Sequence, residues 1–201
     1  MMARLHPVAL LKKPNVLLAV LLLCVVNTPA GAPNRASDHL RSGEMSVSVT
    51  SARAAFEQFK KLEGKWRGRS TNGWDEVVSY KTIAQGTVVV ANSFDAHPNE
   101  TMMTMFYLDG DRLMLTHFCV ARNQPRLVAT LLSDAGRTIT FTFLDGTNLP
   151  SRNHGHMDKL VFRFVDENHV VSRWTWYQDG KERWMEEIAL ERMTSSRVNT
   201  Q

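Results

Sequence analysis

The chain has 201 residues with 24 Lys and Arg against 20 Asp and Glu, a length that suits one domain. Its excess of base is concentrated at the start: residues 1–32 hold Arg4, Lys12 and Lys13 and no acid, leaving 21 basic against 20 acidic residues in the remainder. A near-neutral body gives no licence for nucleic-acid binding or for binding an anionic membrane.

Lys12 and Lys13 precede an apolar run from Val16 to Val26, then Pro29 and Ala30-Gly31-Ala32, which places small residues at the −3 and −1 positions of a signal-peptidase site. Residues 1–32 are therefore expected to be a secretory signal, with the body exported to a periplasm or the exterior. The run is shorter than the roughly 20 residues that span a bilayer, so no integral membrane anchor is expected after cleavage. Cleavage would also remove Cys24 and leave Cys119 alone, with no intramolecular disulfide, so the fold rests on its core. Residues 33–50 are polar, Ser-rich and aperiodic, and are expected to be a linker.

From Ser51, a candidate N-cap, the pattern turns helical, with Ala52, Ala55, Phe56, Phe59 and Leu62 in one stripe and Gly64 as a stop. After it come about ten short alternating runs separated by hairpin-length turns, such as Asn72-Gly73, Gln85-Gly86, Asp109-Gly110, Ala135-Gly136 and Asp179-Gly180. Short connections make consecutive strands neighbours, and a long meander removes its edges by closing. The expected fold is all-β: an antiparallel up-and-down closed barrel of about ten strands with one N-terminal capping helix, spanning 51–201. An open two-sheet sandwich is the alternative. The connection from Asp145 to Met157 is long and polar, a length associated with lids.

The helix followed by Gly64-Lys65-Trp66-Arg67-Gly68 resembles the Gly-x-Trp opening of the lipocalin and fatty-acid-binding-protein (calycin) superfamily. With ten strands and no inserted helix pair, residues 55–193 are most similar in pattern to the nitrobindin-like, lipocalin-like barrels of bacteria. The resemblance implies a Trp closing the base of the barrel and a small molecule bound inside it. In nitrobindins it implies a haem held by a late-strand His, for which this sequence offers His169.

On an Asp109-Gly110 turn, Met102 faces His117 and Phe106 faces Leu113, and one face holds Met102, Thr104, Phe106, Leu113, Leu115, His117 and Cys119. His117 and Cys119 then point the same way, as a ligand-binding pair or as the start of a haem or catalytic site, although no acid completes a triad. His154, His156 and Asp158 follow the i, i+2, i+4 spacing of metal ligands on one side of an extended segment. Counting outward from Asp179-Gly180 pairs Arg173 with Glu186 and Thr175 with Trp184, which puts a charged pair in a cavity rimmed by Trp184, Tyr177 and Ile188. The opposite face, with Trp174, Trp176, Met185 and Ala189, is the rival interior. No P-loop, dinucleotide fingerprint, nucleophile elbow or zinc-protease motif occurs. The expected function is carriage or sensing of a small apolar or amphipathic ligand without turnover. The alternatives are a haem or enzymatic barrel using His117, and an envelope interaction module using Trp174 and Trp176.

Overall fold

The structure, a computed structural model, describes residues 45–46, 48–97 and 100–194. The proposed signal at 1–32 and most of the linker lie outside the described residues. Within the linker range, Met45–Ser46 form a two-residue strand, β1, paired with Leu132 and Leu131. The helix α1 runs Val49–Lys60 and starts earlier than expected, because Ser48 is its N-cap. The Ser48 hydroxyl accepts from the Ser51 N–H and the Ser51 hydroxyl accepts from the Ser48 N–H, so Ser51 closes a capping box instead of opening the helix.

Ten strands follow: β2 (Gly64–Ser70), β3 (Asp75–Ile83), β4 (Val88–His97), β5 (Glu100–Asp109), β6 (Arg112–Phe118), β7 (Gln124–Ser133), β8 (Thr138–Thr147), β9 (His156–Phe164), β10 (His169–Gln178) and β11 (Lys181–Arg192). Each pairs antiparallel with the next, and β11 pairs back onto β2 from Ile188↔Ser70 to Arg192↔Trp66, so the sheet closes. The all-β closed barrel of ten strands with one preceding helix is as expected, and the open sandwich is excluded. The architecture fits a calycin-like fold.

The helix stripe is buried at one end of the barrel, the base. Phe59 stacks on Phe106 at 4.1 Å between centroids and lies 4.9 Å from Phe162, 5.2 Å from Phe164 and 6.2 Å from Phe141. These rings fill the lower lumen solidly. Trp66 is fully buried and donates from Nε1 to the Leu62 carbonyl at 2.7 Å, tying the helix end to β2. The Arg192 guanidinium lies 4.3 Å over the Trp66 ring and donates to the carbonyls of Lys61, Glu63 and Glu167. Gly68 is required by proximity: a Cβ there would sit 1.9 Å from the Ala189 carbonyl oxygen across the β2–β11 seam.

Two registers differ from expectation. In the central hairpin the loop is Gly110-Asp111, because Asp109 pairs with Arg112. Phe106 consequently faces Leu115, and His117 faces Thr104 instead of Met102. The displacement is by one residue on each strand, which preserves which side chains share a face. In the last hairpin Asp179 and Gly180 do form the two-residue turn, with φ of +52° and +79°. A bulge then leaves Arg183 unpaired, with Trp176 opposite Trp184 and Tyr177 opposite Glu182. That slip changes the face of everything beyond it on one strand relative to the other.

Candidate functional site

The lumen changes character along its length. Toward the base it is aromatic and aliphatic; in the half away from the helix, the alternation of five strands delivers polar side chains inward. Glu76 shares a face with Val78 and Tyr80, Thr104 with Phe106, His117 with Leu113 and Leu115, Ser172 with Val170, and Glu186 with Ile188 and Leu190, all buried. Three of them, Glu76, Thr104 and Ser172, line an internal cavity of about 30 Å³ together with Ser93 and Trp174, above Phe106 and Leu160. That is room for about two water molecules, at roughly 10–15 Å³ of such space each. Ser93, Met102 and Trp174 are half-buried, so solvent approaches from this end, the mouth.

Glu76 is 4% exposed, and its carboxyl takes a hydrogen bond from the Ser93 side chain while Oε2 has no partner. Burial raises its pKa from 4.5 to about 7, against the lowering pull of Ser93 and with a further push from the charge of Glu186. Glu186, 7% exposed, accepts from Asn72 Nδ2 at 3.2 Å. Burial and the Glu76 charge both raise the pKa of Tyr80, which stays a phenol. His117 is 4% exposed, shares a 2.9 Å hydrogen bond between Nδ1 and Thr104 Oγ1, and has no partner at Nε2. Burial lowers its pKa to about 4, so the ring is neutral. Its centroid is 4.9 Å from that of Trp174. Since β6 and β10 are not neighbours in the sheet, this contact crosses the lumen. A buried polar atom left unpaired costs about 1–3 kcal/mol; Glu76 Oε2 is one on the cavity lining, and His117 Nε2 is another, on a ring packed behind Thr104 and Trp174.

The anticipated site residues divide accordingly. His117, Glu186, Phe106 and Met102 lie on the inner face, with Phe106 largely committed to the base core. Arg173 does not join them: it faces outward, 3.0 Å from Glu187, with side-chain exposures of 46% and 42%. The Arg173–Glu186 pair is thus corrected, because the Arg183 bulge sets Glu186 opposite Trp174 and Glu187 opposite Arg173. The interior mixes the two faces weighed from sequence, Trp174 coming from one and Glu186 and Ile188 from the other. The side chain of Trp184 lies outside the described residues. Cys119 is one residue beyond the end of β6, in the turn closed by hydrogen bonds from the Cys119 N–H to the Asn123 carbonyl and from the Arg122 N–H to the Cys119 carbonyl.

The His154, His156 and Asp158 spacing does not make a metal centre. His156 is fully buried, with Nδ1 donating to the His154 carbonyl at 2.6 Å and Nε2 2.6 Å from Arg152 Nη1, so both ring nitrogens are engaged. Arg152 also donates to Asp158 at 2.5 Å and lies over the rings of Tyr177 and Phe143 at 3.8 and 4.5 Å. Tyr177 therefore belongs to this packed cluster. Among the described residues no group of three or more His, Cys, Asp or Glu side chains is placed to hold a metal ion. The long 148–155 connection is pinned: Asn123 Nδ2 donates to the Gly155 carbonyl and the Asp179 N–H to the Asn153 carbonyl. A Cβ at Gly155 would meet Trp176 at 2.4 Å.

The residues present do not fit a haem. His169 opens β10 on the outer face, next to inward-facing Val170, with Nδ1 2.9 Å from the Asp166 carboxylate. The cavity beside Thr104, the hydrogen-bond partner of His117, is about 30 Å³, against roughly 300–1,000 Å³ for pockets that take drug-sized ligands.

Sequence reasoning missed Glu76, Ser93 and Ser172. The signal for Glu76 was present: it occupies the same alternate positions as Val78 and Tyr80, an acid on an apolar face.

No protein-family model matches the chain, and no curated protein sequence matches it. Two solved structures are similar in shape. One is a protein of unknown function from the DUF3598 family of Nostoc punctiforme, 12% identical over 68% of this chain and 49% of that one, with a TM-score of 0.48; the match spans about half of that protein. The other is Rv2717c from M. tuberculosis, 15% identical over 70% of this chain and 98% of that one, with a TM-score of 0.47.

Proposed function

We propose that the protein is a small-molecule carrier or sensor that holds the polar end of a small amphipathic ligand in the mouth half of the barrel and does not transform it. The supporting observation is the cavity lined by buried Glu76, whose Oε2 has no partner, and by Thr104 and Trp174, behind which His117 is unpartnered at Nε2. A barrel evolved only for stability gains nothing from such groups, whereas a ligand that hydrogen-bonds to them recovers the cost of their desolvation. The base half, filled by Phe59, Phe106, Phe141 and Phe162, leaves no channel for a long acyl chain. An apolar portion of the ligand therefore extends toward Met102 and Trp174.

A plugged variant tests this reading. Ser172 is buried and lines the cavity, and Ser172→Leu would fill it. Native mass spectrometry of both proteins, gently purified from the natural host, should find a bound molecule on the wild type and none on Ser172→Leu. An empty wild type, or equal occupancy of the two proteins, would end the proposal.

A further inference from the structure

We infer that the ligand of this lumen is a small primary ammonium ion, held in the cavity by the Glu76 carboxylate and the face of Trp174, with the charge of Glu186 close by and His117 Nε2, behind Thr104 and Trp174, as a further acceptor. The inference rests on the reading of the lumen as a ligand site and names the chemical class that site selects.

Charge is the first argument. Among the buried polar side chains of the described residues are two carboxyl groups, Glu76 and Glu186, and no Lys or Arg. Buried acids are ordinarily paired with a cation; here each has only neutral partners, the Ser93 side chain for Glu76 and the Asn72 amide for Glu186. The groups that act on Glu76 from the surrounding strands are Ser93, Tyr80 and Glu186, so among the described residues no cation supplies the missing charge. A cation brought by a ligand would.

Hydrogen-bonding capacity is the second. A primary ammonium has three N–H donors and no acceptor. The lumen offers acceptors: Glu76 Oε2 is unpartnered, and His117 Nε2 carries a free lone pair in the tautomer whose Nδ1–H donates to Thr104. The Trp174 ring adds an aromatic face of the kind that attracts cations.

Size and polarity complete the case. A cavity of about 30 Å³ accepts about two non-hydrogen atoms, which is an ammonium nitrogen with its first carbon. The rest of a short alkyl chain would leave past the half-buried Ser93, Met102 and Trp174. A carboxylate or phosphate ligand would meet two acids and no base. A neutral alcohol would satisfy one acceptor and leave the charge unmatched. When the cation binds a protonated Glu76, the ammonium keeps its three protons and the carboxyl proton is released to solvent, so the lumen gains no net charge from that step.

The probes are n-propylammonium, n-propanol and propionate, titrated into the protein while the Trp174 indole and His117 imidazole signals are followed by ¹⁵N NMR. Saturable shifts of both signals are expected with n-propylammonium, at an affinity at least tenfold above that for n-propanol, and none with propionate. Glu76→Gln and Glu186→Gln should each weaken n-propylammonium at least tenfold, while Arg173→Ala, on the outer surface, should leave it unchanged. If none of the three probes moves the lumen signals, both the lumen reading and the ammonium assignment fall. If n-propanol or propionate binds as well as n-propylammonium, the lumen remains a ligand site and the ammonium assignment is overturned. Shifts confined to surface residues overturn it too. Should a variant not fold, the comparison of the three probes on the unmutated protein decides.

Discussion

Replacing Glu76 with Gln should make the protein markedly more stable at neutral and alkaline pH and leave it nearly unchanged below pH 4.5. The side chain keeps its shape, and Ser93 keeps an acceptor. What is removed is the ability to ionise in a buried site. The folded-state pKa, about 7, lies above the unfolded value of 4.5, so the group's contribution to stability is fully present below 4.5 and is lost as pH rises through about 7. At about 1.4 kcal/mol per pH unit, that loss is roughly 3 kcal/mol. For a domain of this size, about 3 kcal/mol corresponds to roughly 6–12 °C in Tm. The wild-type profile alone will not reveal it, because His117 runs the other way: its pKa is depressed to about 4, so its contribution is present above 6.5 and lost as pH falls. Between pH 4.5 and 6.5 the two nearly offset. The assay is therefore urea denaturation of wild type and Glu76→Gln side by side from pH 4.5 to 8.5. The difference between the two curves should grow by about 3 kcal/mol with rising pH. Parallel curves, with a difference constant to within about 0.5 kcal/mol, would refute the assignment of Glu76 as a buried, weakly satisfied carboxyl.

Phe59→Ala removes the ring at the centre of the base cluster and should cost about 3–5 kcal/mol in urea denaturation. Gly68→Ala forces a methyl into the Ala189 carbonyl and should cost at least about 2 kcal/mol, with the loss of hydrogen-exchange protection concentrated along the β2–β11 seam. Arg173→Ala breaks an exposed pair with Glu187 and should change stability by less than about 1 kcal/mol. Trp66→Phe deletes the donor to the Leu62 carbonyl, and a loss of about 1–3 kcal/mol by thermal denaturation is expected.

Much of the architecture was legible because it is written in local chemistry. Alternation marked the strands, paired turn residues marked their ends, and the brevity of the turns forced a meander that had to close. The helix stripe from Ala52 to Leu62 was identified residue by residue, and its start was missed because Ser48 and Ser51 both suit an N-cap and reciprocate in the same box. Face assignment survived in the central hairpin, where the loop moved by one position on each strand. It failed in the last hairpin, where Arg183 bulges. The two-residue turn at Asp179-Gly180 was anticipated; the bulge three residues on was not, because alternation along one strand does not reveal an extra residue in its partner. The pair Arg173–Glu186 was the cost of that bulge. The lumen's other acid, Glu76, could have been found by applying the alternation test along β3, where it shares the positions of Val78 and Tyr80. Its hydrogen bond with Ser93 follows from the register of the adjacent strands β3 and β4, whereas its proximity to Glu186 depends on barrel closure, which brings β11 round to β2 and could not be measured along the chain.

Titration of the Glu76 side-chain carboxyl by ¹³C NMR, in the ligand-free protein and with saturating n-propylammonium, tests the central claim most directly. A midpoint near 7 in the free protein, falling when the ammonium is present, is the predicted result. A free-protein midpoint near 4.5, unmoved by the ammonium, would show a carboxyl in contact with water and contradict a buried polar lumen awaiting a guest.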